Sequence, residues 1–373
     1  MHRRDFLQLA AMASASAATA TDIPKYRVVS RFAPSPKPGM PGPFAGKAVR
    51  VHSEKSVDSA TDRVDEGTVA EMLSRGMRSL TGAKNERDAW ENFFDATDVV
   101  GIKVNCSGAP KIYSDKQVVG GIVNNLIALG IPARNIYIYE RFQNQLSSVR
   151  YNRSVPAGIN IIAAETTRGS SASYDPNTYV ETNFFGEDDT RSNMIRLVTE
   201  RFTKIINVPN MKDHAAAGVT GCLKNIAYGN FSNVARSHNR EKTNTLSFIG
   251  TLAGVEPLRS RTVLQIMDGL RGVWHGGPFS ENPKFRFYPK TIVFGTDPVA
   301  IDRLLLDVIQ NKREAEGALS IWDRSMDNVK PDRHRPDPHF NSFIREPGHI
   351  EYASRLGLGV YDVGQIAVTD IKV

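Results

Sequence analysis

The chain has 373 residues and a formal net charge of +7, from 47 lysines and arginines against 40 aspartates and glutamates. This length is ample for a sizeable core in one large domain or in two lobes. The basic residues form no block of the kind that follows a nucleic-acid backbone, so the composition argues against nucleic-acid binding and favours small anionic ligands.

The first twenty residues predict an export signal. The sequence RRDFL at residues 3–7 precedes a short alanine-rich run, and Ala18-Thr19-Ala20 suits cleavage by signal peptidase. Paired arginines before Phe-Leu are typical of a twin-arginine leader. The apolar run is too short to span a bilayer. We therefore expect the twin-arginine translocon as a partner during export, a periplasmic location and no stable membrane span.

Residues 21–46 are rich in proline and glycine and predict an extended arm. Strand patterns follow at 47–51, 99–104, 136–139, 159–163, 204–208, 263–267 and 291–294, and helix patterns at 66–80, 115–129 and 298–308. This alternation predicts an α/β fold with a mainly parallel sheet and flanking helices over 47–373, as one domain or as lobes at 47–200 and 201–373. Residues 167–195 are expected to form an insertion, and 322–346 a long surface excursion.

The segment NVPNMKDHAAAGVTGCLKNIAYGN at 207–230 follows a predicted strand and predicts a functional site. Ligands of open α/β sheets bind outside the carboxyl ends of strands, and glycines there let the backbone approach a ligand or adopt positive φ. His214 is a candidate acid or base, and Lys224 is a candidate for neutralising an oxyanion or forming a covalent adduct. Thr220 and Asn225 are candidate cofactor-binding residues. The alternatives are a hydrogen-bonded loop histidine and a surface lysine.

The loop after the strand at 99–104 is a second candidate for ligand binding. Its backbone and the following helix terminus suit an anion, and Asn105, Ser107 and Lys111 are candidate cofactor-binding residues. An ordinary strand–helix loop is the alternative. Cys106 lies in the same loop, and a disulfide between Cys106 and Cys222 is allowed but not required.

Two further residues are candidate metal ligands. His238 lies in a dense polar segment, and Asp268 follows the strand at 263–267, with His275 shortly after it. The absence of a CxxC pair argues against an iron–sulfur cluster or a structural zinc site. His334 and His339, in the charged excursion, are expected to be solvated. Thr296, Asp297 and Pro298 are explained by helix capping.

Several blocks together resemble a bacterial and archaeal family designated domain of unknown function three-six-two. The blocks are VVGIKVN, LIALGIPARNIYIYE, the segment 207–230, LQIMDGLRG with HGGP, and FGTDPVAIDR, which cover most of residues 98–303. Twin-arginine leaders are common in that family, whose name leaves its activity open.

The block around His214 and Lys224 also resembles the nickel-pincer lactate racemase family. There, a histidine precedes a lysine that carries the cofactor covalently, and a later histidine, near the place of His238, coordinates nickel. This chain departs from that family at Asn105, where the racemase has an aspartate, and at Glu140 and Arg141, where it has a catalytic histidine. The resemblance therefore implies a shared fold with changed chemistry.

These observations predict an exported enzyme that acts on a small anionic or polyhydroxy substrate. His214 would transfer a proton and Lys224 would stabilise charge, in isomerase/racemase-like or lyase-like chemistry. A divalent metal or a pincer-type cofactor is allowed. The alternatives are a non-catalytic periplasmic module that binds a metal ion or a phosphorylated ligand, and a maturation partner for another exported protein.

Overall fold

A computed structural model describes residues 23–166, 173–239, 242–330 and 337–373. The predicted leader at 1–20 and His334 lie outside the described residues. The strands are β1 (Arg27–Val29), β2 (Lys47–His52), β3 (Val100–Val104), β4 (Ile136–Phe142), β5 (Asn160–Glu165), β6 (Tyr174–Glu181), β7 (Arg191–Ile195), β8 (Lys204–Val208), β9 (Asn210–His214), β10 (Gly218–Val219), β11 (Thr262–Val273), β12 (Arg286–Phe287), β13 (Thr291–Gly295) and β14 (Ala367–Lys372).

The helices lie between these strands and after them. They are α1 (Glu66–Thr81), α2 (Glu86–Glu91), α3 (Lys116–Ala128), α4 (Gln143–Val149), α5 (Gly221–Tyr228), α6 (Thr245–Ala253), α7 (Leu258–Arg261), α8 (Pro298–Ala315) and α9 (His349–Arg355), with a π-helical turn at Leu197–Arg201. Within the described parts of the chain, no helix is long and apolar enough to cross a membrane.

The strands of the described chain form a large sheet of eleven and a small antiparallel sheet of three, β1-β6-β7. The large sheet has the order β14-β2-β13-β11-β8-β3-β4-β5, in which β11, β8, β3, β4 and β5 are parallel neighbours and β13 is antiparallel to both of its neighbours. The predicted α/β fold with a mainly parallel sheet is therefore confirmed.

Both faces of this sheet are buried, because successive side chains of a strand point to opposite faces. In β8, Ile205 packs into one hydrophobic cluster and Ile206 into the other. Apolar residues of α1 and α3 belong to the second cluster, and those of α5, α6 and α8 belong to the first. The sheet thus lies between two helical layers. These layers cover its faces, so a ligand site is expected at the ends of the strands.

Two segments are more ordered than the sequence predicts. The proline-rich arm pairs through β1 with β6 and buries Met40 completely. The excursion predicted at 322–346 is only partly a surface segment, because Asn341 and Arg345 are almost fully buried. The hydrophobic pattern does not reveal this burial, since an arginine is buried only when a specific partner compensates its charge. His339 is exposed, as expected.

The glycines of α1 provide a test of packing between this helix and the sheet. A Cβ at Gly76 would lie 2.2 Å from Cε2 of Phe294 in β13, whereas a Cβ at Gly67 would meet only a carboxylate oxygen at 3.6 Å. We expect Gly76→Ala to lower the free energy of unfolding by about 1–3 kcal/mol. The same change at Gly67 should raise it by up to about 1 kcal/mol through helix propensity. Urea unfolding of both variants measures this difference, and equal effects would contradict the packing described.

Candidate functional site

A cavity of about 1070 Å³ opens where β3, β4 and β5 end. Most of the residues that line it are polar or charged, and the full lining is Lys103, Asn105, Ser107, Glu140, Arg141, Phe142, Gln145, Glu165, Tyr174, Pro176, Asp189, Arg191, Asn193, Arg196, Thr220, Lys224, Asn225, Tyr228, Gly229, Ser232, Asn233, Val234, Ala235, His238, Pro278 and Phe279. Its position at the carboxyl ends of parallel strands is where α/β proteins bind their ligands.

Most of the residues predicted from sequence meet at this cavity. Six of them line it: Asn105, Ser107, Thr220, Lys224, Asn225 and His238. His214 lies just behind the wall, with its ring centre 5.4 Å from that of His238. Lys111 and Asp268 do not line it, since Lys111 is exposed on its loop and Asp268 is buried elsewhere.

The Lys224 side chain brings a buried ammonium group to the cavity. Its Nζ lies 4.3 Å from the ring centre of Tyr228, and within the described residues it has no carboxylate partner. Burial, together with the smaller effects of the charges of Lys212 and Arg141, lowers the pKa of Lys224 to about 7. A lysine with this pKa exchanges protons readily near neutral pH.

His214 is held as a neutral imidazole. Its Nδ1 accepts hydrogen bonds from the backbone N–H groups of Ala216 and Ala217, at 3.1 and 3.2 Å. Burial and the nearby positive charge of Lys224 hold the pKa of His214 well below its usual range. Because Nδ1 accepts, the proton of the neutral ring is on Nε2, and neither nitrogen keeps a free lone pair for a substrate proton. These bonds disfavour the general-base role predicted for His214.

A directed chain of side-chain amides forms the floor of the cavity. Lys212 Nζ donates to Asn105 Oδ1 and to Ser107 Oγ, both at 2.6 Å. Asn105 Nδ2 then donates to Asn225 Oδ1 at 2.9 Å, and Asn225 Nδ2 donates to Asn207 Oδ1 at 2.7 Å. An ammonium group has donors only, so it fixes the oxygen of Asn105 toward itself and thereby orients each later amide.

Lys212 is a site residue that the sequence analysis did not single out. It is completely buried, and burial lowers its pKa to about 7, while the Glu140 carboxylate acts in the opposite direction. The signal available for it was a charged residue in the segment that directly follows the predicted strand at 204–208. A charged residue within or at the end of a strand pattern likewise marks Lys103, the one charged residue of the otherwise apolar β3, and Glu140 in β4.

Two ion pairs neutralise other charges on the cavity wall. Lys103 Nζ donates to Glu140 Oε1 at 2.6 Å, and Arg141 Nε donates to Glu165 Oε1 at 2.9 Å. The first pair requires Gly229, because a Cβ there would lie 2.2 Å from Cε of Lys103. That glycine therefore makes room for a side chain that belongs to the site.

The backbone conformation and close packing of the 207–230 segment explain why glycine occurs at positions 218 and 221. Gly218 and Gly221 have φ of +83° and +56°, in the left-handed region that favours glycine. A Cβ at Gly221 would lie 2.2 Å from Asp302 Oδ1. The Asp302 carboxylate accepts from the N–H groups of Cys222 and Leu223, at 2.5 and 2.9 Å, and so caps α5. Gly221 thus admits a capping carboxylate from α8 rather than a ligand.

Asp268 belongs to a different part of the molecule from His238. Its Oδ2 accepts from the Asp115 N–H at 2.6 Å and its Oδ1 from the Leu270 N–H at 2.9 Å. Burial and the neighbouring Asp115 raise its pKa to about 7. Among the described residues, no three histidines, cysteines, aspartates or glutamates come together to hold a metal ion. The structure therefore does not bring the two predicted metal ligands, His238 and Asp268, together.

His275 and the cysteines have structural surroundings. His275 Nδ1 accepts from Arg313 at 2.9 Å, beside the buried ion pair of Asp213 and Arg345. Asp213 also accepts from the N–H of Gly277, so this cluster anchors the loop that carries Pro278 to the cavity. Cys106 and Cys222 are buried free thiols.

Comparison with known proteins identifies a family but no activity. Residues 100–307, more than half of the chain, match the family model described as Domain of unknown function (DUF362). No curated protein matches significantly. A crystal structure of a structural-genomics target from Thermotoga maritima is similar at 9% identity and a TM-score of 0.35, over 68% of this chain and 59% of that one. This chain thus spans less than two thirds of that protein.

Proposed function

The chain belongs to the DUF362 family, and we propose that it is an enzyme that moves a proton on a small anionic substrate, in isomerase/racemase-like or lyase-like chemistry. The observation that carries this proposal is the Lys224 ammonium group, which is buried at the cavity without a carboxylate partner among the described residues and has a pKa lowered to about 7. At neutral pH a large fraction of this amine is unprotonated and able to accept a proton.

The substrate anion would lie against the donors of the cavity floor. Asn105 and Asn225 each use one of their two amide N–H groups in the chain of amides, which leaves one on each for a ligand. The acidic carbon–hydrogen bond would then lie at Lys224 Nζ, which takes the proton as an amine and returns it as an ammonium. The neutral His214 ring would support His238 at the wall.

A non-catalytic binding module is the second proposal, and Thr220 favours it. This side chain is 4% exposed and lines the cavity, and its hydroxyl has no hydrogen-bond partner among the described residues. An unpartnered buried hydroxyl costs free energy that a bound anion would recover. The unpartnered Thr220 hydroxyl therefore supports binding of a ligand at the cavity, whether or not a reaction follows.

Hydrogen exchange separates the two proposals. Small carboxylates and phosphorylated compounds that have a hydrogen on the carbon next to a carbonyl or carboxylate are incubated with the protein in D2O near neutral pD. Proton NMR then follows the loss of that signal. We expect exchange with the wild type and a decrease of at least about 100-fold in Lys224→Arg, because guanidinium keeps the charge but does not deprotonate.

Lys111→Arg is the matched control, since it makes the same change on an exposed loop at the same end of the sheet. Its exchange rate should equal that of the wild type. Undiminished exchange in Lys224→Arg would refute the role of Lys224. A ligand that binds to the wild type without any exchange would leave the binding module as the function.

We also propose that the chain is exported to the periplasm by the twin-arginine route, on the basis of the RRDFL sequence at residues 3–7. Replacing Arg3 and Arg4 with lysine should stop export and leave the precursor in the cytoplasm. Cell fractionation followed by immunoblotting measures the amount of protein in the periplasm and in the cytoplasm. The same periplasmic amount for the double variant and the wild type would contradict the proposed route.

A further inference from the structure

The charges beneath the cavity are not balanced. The cations of its wall have carboxylate partners: Lys103 pairs with Glu140, Arg141 with Glu165, Arg191 with Glu181 and Arg196 with Glu200. Lys224 on the wall and Lys212 behind the floor have none among the described residues. A charged amine is costly in a protein interior, and burial accordingly lowers the pKa of both lysines to about 7, although Glu140 partly offsets this at Lys212. A negative charge brought by a ligand would restore the ammonium form of both groups.

The remaining hydrogen-bond donors belong to residues that line the same cavity as Lys224. They come from separate elements, since Asn105 follows β3, Asn225 lies in α5 and Thr220 immediately precedes α5. The amides are oriented by Lys212 and each keeps one N–H, while the Thr220 hydroxyl is unpartnered within the described chain. The cavity lining thus includes three uncharged donors besides Lys224, a number that suits a group with several terminal oxygens better than a carboxylate with two.

We propose that the cavity binds the doubly charged phosphate group of a small phosphorylated ligand, with Lys224, Thr220 and the amides of Asn105 and Asn225 as its contacts and Lys212 as the second compensating charge. Lys212 acts through the polarised amide chain, because Asn105 and Ser107 separate its ammonium from the cavity. This inference rests on the proposed placement of the substrate at Lys224. The phosphate would contact the protonated form of this amine, whereas the proposed proton transfer starts from its unprotonated form, so the two proposals concern different ionisation states of Lys224.

The size of the cavity agrees with a phosphorylated organic ligand rather than a free ion. A volume of about 1070 Å³ is at the upper end of the range for organic ligands. Beyond the floor the wall continues through Asn193, Ser232 and Asn233, which are polar, and Phe279, which is half exposed. The phosphate would therefore anchor one end, and the organic part would lie along this wall.

Titration calorimetry with three small anions tests the charge of the anchoring group. Inorganic phosphate, sulfate and acetate are compared at pH 7.5 and constant ionic strength, with the full mature protein. We expect phosphate and sulfate to bind at least about tenfold more tightly than acetate, because a dianion favours the ammonium form of both Lys212 and Lys224 and then meets two positive charges. Acetate that binds as tightly as phosphate would overturn the proposal.

Substitutions locate the site and control for unfolding. Lys224→Met and the isosteric Thr220→Val should each weaken phosphate binding at least about fivefold, since a hydrogen bond to a charged group is lost. Lys111→Met, which removes an exposed lysine, should change nothing. Each variant is first checked for a cooperative unfolding transition. If folded Lys224→Met and Thr220→Val both bind phosphate like the wild type, the assigned contacts are wrong.

The outcome is separable from that of the proposed reaction. Preference for dianions without hydrogen exchange of any compound would support this inference and refute the enzyme. Exchange of a monocarboxylate that binds as tightly as phosphate would support the enzyme and refute this inference.

Discussion

The site depends on two ammonium groups, those of Lys212 and Lys224, buried at the carboxyl edge of the sheet without carboxylates of their own in the described chain. Burial gives both groups a pKa near 7. Lys212 donates hydrogen bonds to Asn105 and Ser107, whereas Lys224 lines the cavity. One lysine therefore orients the floor and the other is available to a ligand.

The rest of the fold holds these two groups in place from behind. Lys212 lies in β9, which extends the polar end of the sheet beyond β8, and the Asp213 next to it is fixed by Arg345. Lys224 lies in α5, whose first turn is capped by Asp302 from α8. Both are therefore positioned by rigid elements and by buried polar contacts, as a preorganised site requires.

The sequence predicts the sheet and the location of the site, because the spacing of apolar residues and the position of polar residues after a strand can both be read locally along the chain. Strand β8 and helix α3 follow directly from the hydrophobic pattern. The hydrogen-bond partners of the site residues cannot be predicted in this way, since they are distant in sequence. The capping of α5 by Asp302 joins positions 80 apart, and the floor joins Asn105 to Lys212 across 107. The two backbone hydrogen bonds that His214 Nδ1 accepts, and the position of Asp268 outside the cavity lining, likewise depend on the folded backbone and have no local signal in the sequence.

The ionisation of Lys224 is the central claim, and competitive acetylation with acetic anhydride measures it most directly. The rate at which this amine is labelled, relative to an internal standard, is followed by mass spectrometry of the Lys224 peptide between pH 5 and pH 11. Because only the unprotonated amine reacts, the account predicts a half-maximal rate at about pH 7. A midpoint at about pH 10.4, the value for a solvated lysine, would contradict it.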